Sequence, residues 1–285
     1  MNTNVTRAYR GRLAPSPTGY LHLGHARTFL IAAQRACEHN GTLVFRIEDL
    51  DPQRCRRQFV DAMIEDLHWL GINWQEGPDC GGPFAPYAQS ERGDSYLSAW
   101  RRLKDDGWIY PCTCSRKDLA LAASAPNDAD DEAIYPRTCR SRTDSKQFAE
   151  PKGVNWRFRV PDGESIRFED LHLGAQEYTA GRDFGDFVIW RRDDVPAYQL
   201  AAVVDDAEMQ ITEVVRGADL LKSTARQILL ARALEYASPV YFHCNLVRDK
   251  TGQRMAKRHD SAGIRQLRES GRSKQEVLRQ LEQLP

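Results

Sequence analysis

Net charge is the first thing this chain lacks. Lys plus Arg and Asp plus Glu both number 40. A protein that coats a polyanion is normally basic, so any nucleic-acid contact here is expected to be local. Long apolar runs are missing too. None approaches the roughly 20 residues that span a bilayer, and Met1–Arg10 is polar, without the apolar core of a secretory signal. No membrane association is expected, and the expected location is cytoplasmic. Cysteine forms no framework: there are seven, an odd count, scattered apart from one cluster. Reduced thiols fit this better than disulfides. The 285 residues allow about two domains and a sizeable core.

What is there begins with Arg12-Leu-Ala-Pro-Ser-Pro-Thr-Gly-Tyr-Leu-His-Leu-Gly-His25. Pro15, Pro17 and Gly19 forbid a helix before Tyr20. From about Leu21 a 3.6-residue pattern runs through Leu23, Ala26, Leu30, Ala33 and Cys37, and Asn40-Gly41 stops it. His22 and His25, three apart, share a face of the first turn. That turn should present unpaired N–H groups and a positive dipole end to a phosphate. Gly24 should let a flat ring approach the backbone. A His-x-x-His pair alone is ordinary helix furniture; its setting after a proline-broken loop is not.

Thr42–Ile47 is β-branched and aromatic, a buried strand. Strand, helix and strand make a βαβ unit, which predicts a parallel sheet with ligands at the carboxyl ends of its strands. Glu48 follows such an end, on the same rim as His22. A second helix carries Phe59, Met63, Leu67 and Leu70 and stops at Gly71; a third, with Ser90 as its cap, carries Leu97, Trp100 and Leu103. Cys112 and Cys114 could fill two corners of a zinc tetrahedron and Cys139 a third, against the alternative of three unrelated thiols. Ala120–Asp131 reads as a flexible insertion, and residues 140–185 as a polar excursion with short strands. The core resumes at Asp186 and continues through Tyr198, a strand over Gln210–Val215, and a helix from about Ser223 to Leu234 capped by Ser223 or Thr224. The tail has one helical pattern in Ile264, Leu267, Val277, Leu278 and Leu281.

His-Leu-Gly-His after Ala-Pro-Ser-Pro-Thr-Gly resembles the HIGH signature of class I aminoacyl-tRNA synthetases, and the glutamyl branch in particular. The run Tyr198–Leu229, with Arg216-Gly-Ala-Asp-Leu-Leu221, is similar to the second half of that catalytic domain. Arg254-Met-Ala-Lys-Arg258 resembles its KMSKS loop, with arginine for the first lysine and alanine for the serine. Asp193-Asp194-Val195 departs from the usual Ser-Asp-Gly. The resemblance implies an α/β fold, a Rossmann-type parallel-sheet catalytic domain split between 1–110 and 186–247. An inserted zinc-binding, acceptor-type subdomain would span 111–185, and the KMSKS-like loop and short helical tail 248–285. Only His259–Pro285 follows that loop, too little for an anticodon-binding domain.

This length resembles the shortened paralogues of the branch, which activate L-glutamate with ATP, without tRNA. They then transfer it to queuosine in the anticodon stem-loop of aspartate tRNA. The resemblance implies ATP with magnesium as substrate, His22, Gly24, His25 and Lys257 on the nucleotide, and His22, His25 and Lys257 as the catalytic set. Arg12, Arg216 and Tyr198 would hold the side-chain carboxylate of glutamate. Glu48, Ser16 and the backbone at Ala14 would hold its ammonium. The family's metal pattern adds the Tyr135 oxygen to Cys112, Cys114 and Cys139 as zinc ligands. A monomer is expected. Three alternatives stay open: a truncated enzyme charging glutamate tRNA, a nucleotidyltransferase with the same histidine chemistry, and a non-catalytic amino-acid sensor.

Overall fold

The computed structural model describes residues 8–114, 134–247 and 263–284. Strand β1 (Arg10–Leu13) leads through the proline loop into helix α1 (Leu23–Glu38) and strand β2 (Thr42–Phe45). β1 and β2 pair in parallel, Arg10 opposite Thr42 and Leu13 opposite Phe45, the expected βαβ start. α1 begins two residues later than its pattern suggests, because His22 is extended and acts as its N-cap. Asn40, in the left-handed region at φ 48°, turns the chain out of the helix. A Cβ on Gly41 would lie 2.4 Å from the Tyr9 ring, so only glycine fits there.

Helix α2 (Arg57–Trp69) buries Met63 and Leu67 as expected, and Gly71 at φ 80° ends the turn after it. Helix α3 (Gly93–Asp105) is not capped by Ser90. Ser90 lies in a preceding 3₁₀ turn, and its N–H and hydroxyl both donate to the Asp49 carboxylate, at 2.9 and 2.7 Å. Capping is a competition for a hydroxyl, and here a charged acceptor wins.

Strands β3 (Ile109–Cys112), β4 (Asn155–Phe158), β5 (Ser165–Asp170), β6 (Gly174–Thr179), β7 (Phe187–Arg191) and β8 (Val195–Pro196) follow. After helix α4 (Tyr198–Glu208) come strand β9 (Glu213–Gly217), helix α5 (Leu221–Ala233) and strand β10 (Val240–Cys244). The chain closes with helices α6 (Ile264–Glu269) and α7 (Lys274–Glu282). β3-β4-β7-β8 form an antiparallel sheet; β6-β5-β10-β9 form a second, parallel from β5 to β9. Hydrogen bonding therefore crosses both edges of the segment 111–185, because β4 pairs with β3 on one side and β7 on the other, while the hairpin β5–β6 extends the sheet of β9 and β10. β1 lies along β9: Thr212 N–H donates to Arg10 O at 2.9 Å, and Arg12 Nη1 to Val215 O at 2.8 Å. The turn at Asp193-Asp194 places Asp194 at φ 63°, a conformation glycine favours and aspartate tolerates.

α5 begins at Leu221 with Leu220 as N-cap, so neither Ser223 nor Thr224 caps it. Among the described residues two large hydrophobic cores form beside a small cluster around Tyr110, Cys112, Tyr135 and Cys139. One packs Leu23, Phe29, Phe45 and Leu67 with Ile264, Val277 and Leu281 of the tail; the other packs Trp100, Trp156, Phe187, Leu200 and Leu230. The tail pattern is two helices because Gly271, at φ 84°, interrupts it and Ser273 starts α7 with a capping box to Glu276. Among the described residues no helix is long and apolar enough to cross a membrane.

Candidate active site

The loop after β1 continues the parallel pairing beyond the strands. Arg46 N–H donates to Leu13 O at 2.9 Å and Glu48 N–H to Pro15 O at 3.0 Å. This brings Glu48 to the strand rim beside the start of α1. A cavity of about 430 Å³ opens there. Arg12, Ala14, Ser16, His22, Gly24, His25, Glu48, Tyr198 and Arg216 all line it, so nine side chains or backbone positions singled out from the sequence meet in one place. Lys257 and the rest of Arg254–Arg258 lie outside the described residues.

The first turn of α1 differs from expectation in one respect. The Gly24 and His25 N–H groups are not unpaired: both donate to His22 Nδ1, at 3.1 and 3.3 Å. An Nδ1 that accepts carries no proton, so neutral His22 is protonated at Nε2. The flat ring lying on Gly24 is that of His22 itself, since a Cβ there would stand 3.1 Å from its Cε1. His22 and His25 stack with ring centroids 3.7 Å apart.

Arg12 and Glu48 of the cavity belong to a buried charge network that the sequence reading missed. The fully buried Arg46 donates to Asp206 Oδ1 at 2.7 Å and Glu48 Oε1 at 3.2 Å, and its Nε lies 3.7 Å from Asp205. Burial pushes the Glu48 carboxyl above its usual range, with Arg46 and Arg12 opposing. Arg12 Nε sits 3.7 Å from Asp206 without a hydrogen bond to it, and is an orphaned buried donor. Burial lowers the Arg12 pKa, so its charged form is held at a cost that an anion beside it would relieve. A charged residue inside an apolar strand (Arg46) and two acids closing an apolar helix run (Asp205-Asp206) are the sequence signals for this layer.

On the opposite wall Arg216, 5% exposed, meets only neutral groups among the described residues. Its guanidinium donates to Thr224 Oγ1 at 2.6 Å, Gln227 Oε1 at 2.8 Å, Tyr198 Oη at 3.2 Å and His243 Nε2 at 3.2 Å. No carboxylate of the described residues lies within ion-pair distance of it. A buried cation so placed is stabilised by any anion that comes within reach of it.

The cysteine cluster is a separate feature. Cys112, Cys114 and Cys139 place their sulfurs within 4.8 Å of one another, Cys114 and Cys139 at 3.6 Å, so the cluster could hold a metal ion. Tyr135 Oη lies 3.3 Å from Cys112 Sγ and 3.5 Å from Cys114 Sγ. Tetrahedral zinc with bonds of about 2.3 Å needs sulfurs roughly 3.8 Å apart, so the donor set fits. The Arg157 guanidinium, 3.8 Å over the Tyr135 ring, supplies positive charge that offsets thiolates.

Residues 8–284 match the family of class I tRNA synthetases (E and Q), catalytic domain. A glutamyl-Q tRNA(Asp) synthetase of Nitratidesulfovibrio vulgaris is 46% identical over 265 residues, 92% of this chain and 82% of that protein. One from Symbiobacterium thermophilum is 47% identical over 94% of this chain and 84% of its own. Glutamate–tRNA ligase 1 of Halorhodospira halophila is 44% identical over 91% of this chain, but only 55% of its own length is covered. The crystal structure of the glutamate–tRNA synthetase from Elizabethkingia anophelis superposes with a TM-score of 0.77 at 30% identity, over 88% of this chain and 53% of that one. The chain thus spans about half of the glutamate–tRNA ligases it matches. With the βαβ start, the paired histidines and the Arg216 wall in one cavity, the chain belongs to the class I tRNA synthetases of the E and Q type, through their catalytic domain.

Proposed function

We propose that this cavity activates L-glutamate with ATP, without tRNA, and that the protein passes the glutamate to queuosine in the anticodon of tRNA(Asp). The observation that carries the first half is Arg216: a buried guanidinium whose partners among the described residues are all neutral, in one cavity with Arg12 and its orphaned Nε. Two cations with unmet capacity suit a ligand carrying a second carboxylate. Glu48 complements its ammonium, with Ser16 and the Ala14 backbone completing that end. The second half rests on the two relatives at 46–47% identity, each covered over more than four-fifths of its length.

In the first step an α-carboxylate oxygen of glutamate attacks the α-phosphorus of ATP. The bond to the β-phosphate oxygen breaks, and pyrophosphate leaves with its electron pair. Negative charge grows on the phosphoryl oxygens, so the protein's task is to place donors and cations around them. His22 and His25 present that face, Gly24 seats the His22 ring against the helix start, and Gly24 as a nucleotide contact and Lys257 as the phosphate cation are carried over from the family. Magnesium is expected with the nucleotide. In the second step a diol hydroxyl of queuosine attacks the glutamyl carbonyl; the ester forms, AMP leaves, and the hydroxyl proton is released. Zinc at Cys112, Cys114, Tyr135 and Cys139 would be structural, closing the segment 111–185 of the split domain plan.

The test is transfer of labelled glutamate to purified tRNAs. Label only on queuosine-containing aspartate tRNA is the expected result. Label on glutamate tRNA would make this a short aminoacyl-tRNA synthetase, and absence of glutamate-dependent ATP–pyrophosphate exchange would leave a sensor or a nucleotidyltransferase.

A further inference from the structure

Behind Arg216 stand two buried residues from separate strands that the reaction chemistry does not use. Asp170 ends β5 and is 1% exposed; its Oδ1 accepts N–H bonds from His172 at 3.0 Å and Leu173 at 2.9 Å, and its Oδ2 one from His243 at 3.1 Å. The carboxylate is therefore rigid, and its pKa is lowered because these hydrogen bonds and the His243 ring outweigh burial. His243, on β10 and fully buried, places Nδ1 2.6 Å from Asp170 Oδ2. Its other nitrogen, Nε2, lies 3.2 Å from Arg216 Nε and 3.0 Å from Thr224 Oγ1.

Only one proton placement satisfies this geometry. Arg216 Nε always carries hydrogen, so the nitrogen it meets must be bare and accept. The His243 proton then sits on Nδ1 and is donated to Asp170. Burial and the adjacent Arg216 push the His243 pKa down to about 4, as a permanently neutral ring requires.

We propose that Asp170 and His243 are positioning residues for Arg216, a relay that aims its guanidinium into the cavity while an imidazole keeps the Asp170 carboxylate from pairing with it. This rests on the reading of the cavity as a glutamate site. Arg46, buried next to Glu48, shows the contrast: it pairs directly with Asp206 at 2.7 Å. A carboxylate in contact with Arg216 would do the same and compete with the ligand. A neutral acceptor fixes the plane of the fork and leaves its charge for the ligand. The consequence is selectivity for a carboxylate over its amide, since glutamine would leave the buried charge unanswered.

Two substitutions separate positioning from mere support. Asparagine reproduces the Nδ1 side of histidine and glutamine the Nε2 side. His243→Asn keeps a donor for Asp170 but removes the acceptor for Arg216; His243→Gln restores an acceptor there. In ATP–pyrophosphate exchange, His243→Asn is expected to raise the glutamate KM about tenfold, with the ATP KM unchanged and the preference over glutamine reduced. His243→Gln should return most of the glutamate KM. An unchanged glutamate KM in His243→Asn, or equal rises in both KM values in both variants, overturns the relay. Nitrogen NMR of the wild-type His243 ring tests it without substitution: a proton on Nδ1 is expected, and one on Nε2 overturns it. Wild-type protein without glutamate-dependent exchange would overturn the glutamate reading instead, and the ring nitrogens alone would then decide the relay.

Discussion

Replacing Arg216 by lysine is the sharpest perturbation of the glutamate pocket. The guanidinium engages four neutral acceptors from α4, α5 and β10, and these hold its plane as a fork. Four of the five guanidinium N–H groups serve those acceptors and one is left for a carboxylate; an ammonium keeps the charge but has three N–H groups and no fixed plane, so that bond is lost. A hydrogen bond to a charged group contributes about 1.5–3 kcal/mol, which corresponds to a rise in glutamate KM of about 10- to 100-fold. The side-chain carboxylate is remote from the reacting carbon and is held alike in ground and transition states, so kcat at saturating glutamate should change little. ATP–pyrophosphate exchange at varied glutamate and fixed saturating ATP reads both constants. A thermal-shift titration reads binding alone: glutamate should raise the melting temperature of the wild type and leave Arg216→Lys nearly unmoved at the same concentration. An unchanged glutamate KM, or a parallel rise in the ATP KM, would refute the assignment.

Further expectations concern metal, pH and the tail. Elemental analysis should find about one zinc per chain, and Cys112→Ser should lower that content; full retention would refute the ligand set. His243, at about 4 in the folded protein against 6.5 for an ordinary histidine, binds a proton in the unfolded chain first. Its contribution is complete above pH 6.5 and is lost as the pH falls toward 4. Between pH 7 and 5 the loss is about 2 kcal/mol, so denaturant titrations of His243→Gln should show a shallower pH slope than the wild type; equal slopes would contradict a buried neutral ring. Ser273→Ala removes the capping box of α7 and should cost about 1 kcal/mol, seen as faster amide exchange across Lys274–Glu282; no change there would mean that packing against α1 alone holds the helix.

The sequence speaks clearly where one residue type has few uses. Pro15, Pro17 and Gly19 announce the loop, Asn40-Gly41 ends α1 where expected, and Arg12, His22, His25, Glu48, Tyr198 and Arg216 do meet in one cavity. It speaks poorly where a side chain has several partners to choose from. Ser90 reads as a cap and serves Asp49; Thr224 reads as a cap and serves Arg216. The free turn expected at α1 is spoken for by His22 Nδ1, an interaction that depends on a side-chain rotation no pattern encodes. Long-range pairing is hidden as well. Nothing local in Ser165–Asp170 says that this strand joins β10, so the His243–Asp170 contact is invisible until the sheet is assembled.

The contact between β1 and Thr212 ties residues 202 positions apart. At about 5–20 residues per second, roughly 10–40 s of synthesis separate Arg10 from its partner. For that interval the nascent β1–α1–β2 unit exposes the strand face that β9 will cover, an edge open to wrong pairing. Production of this protein should therefore respond to translation rate and to holdase chaperones more than to its final stability.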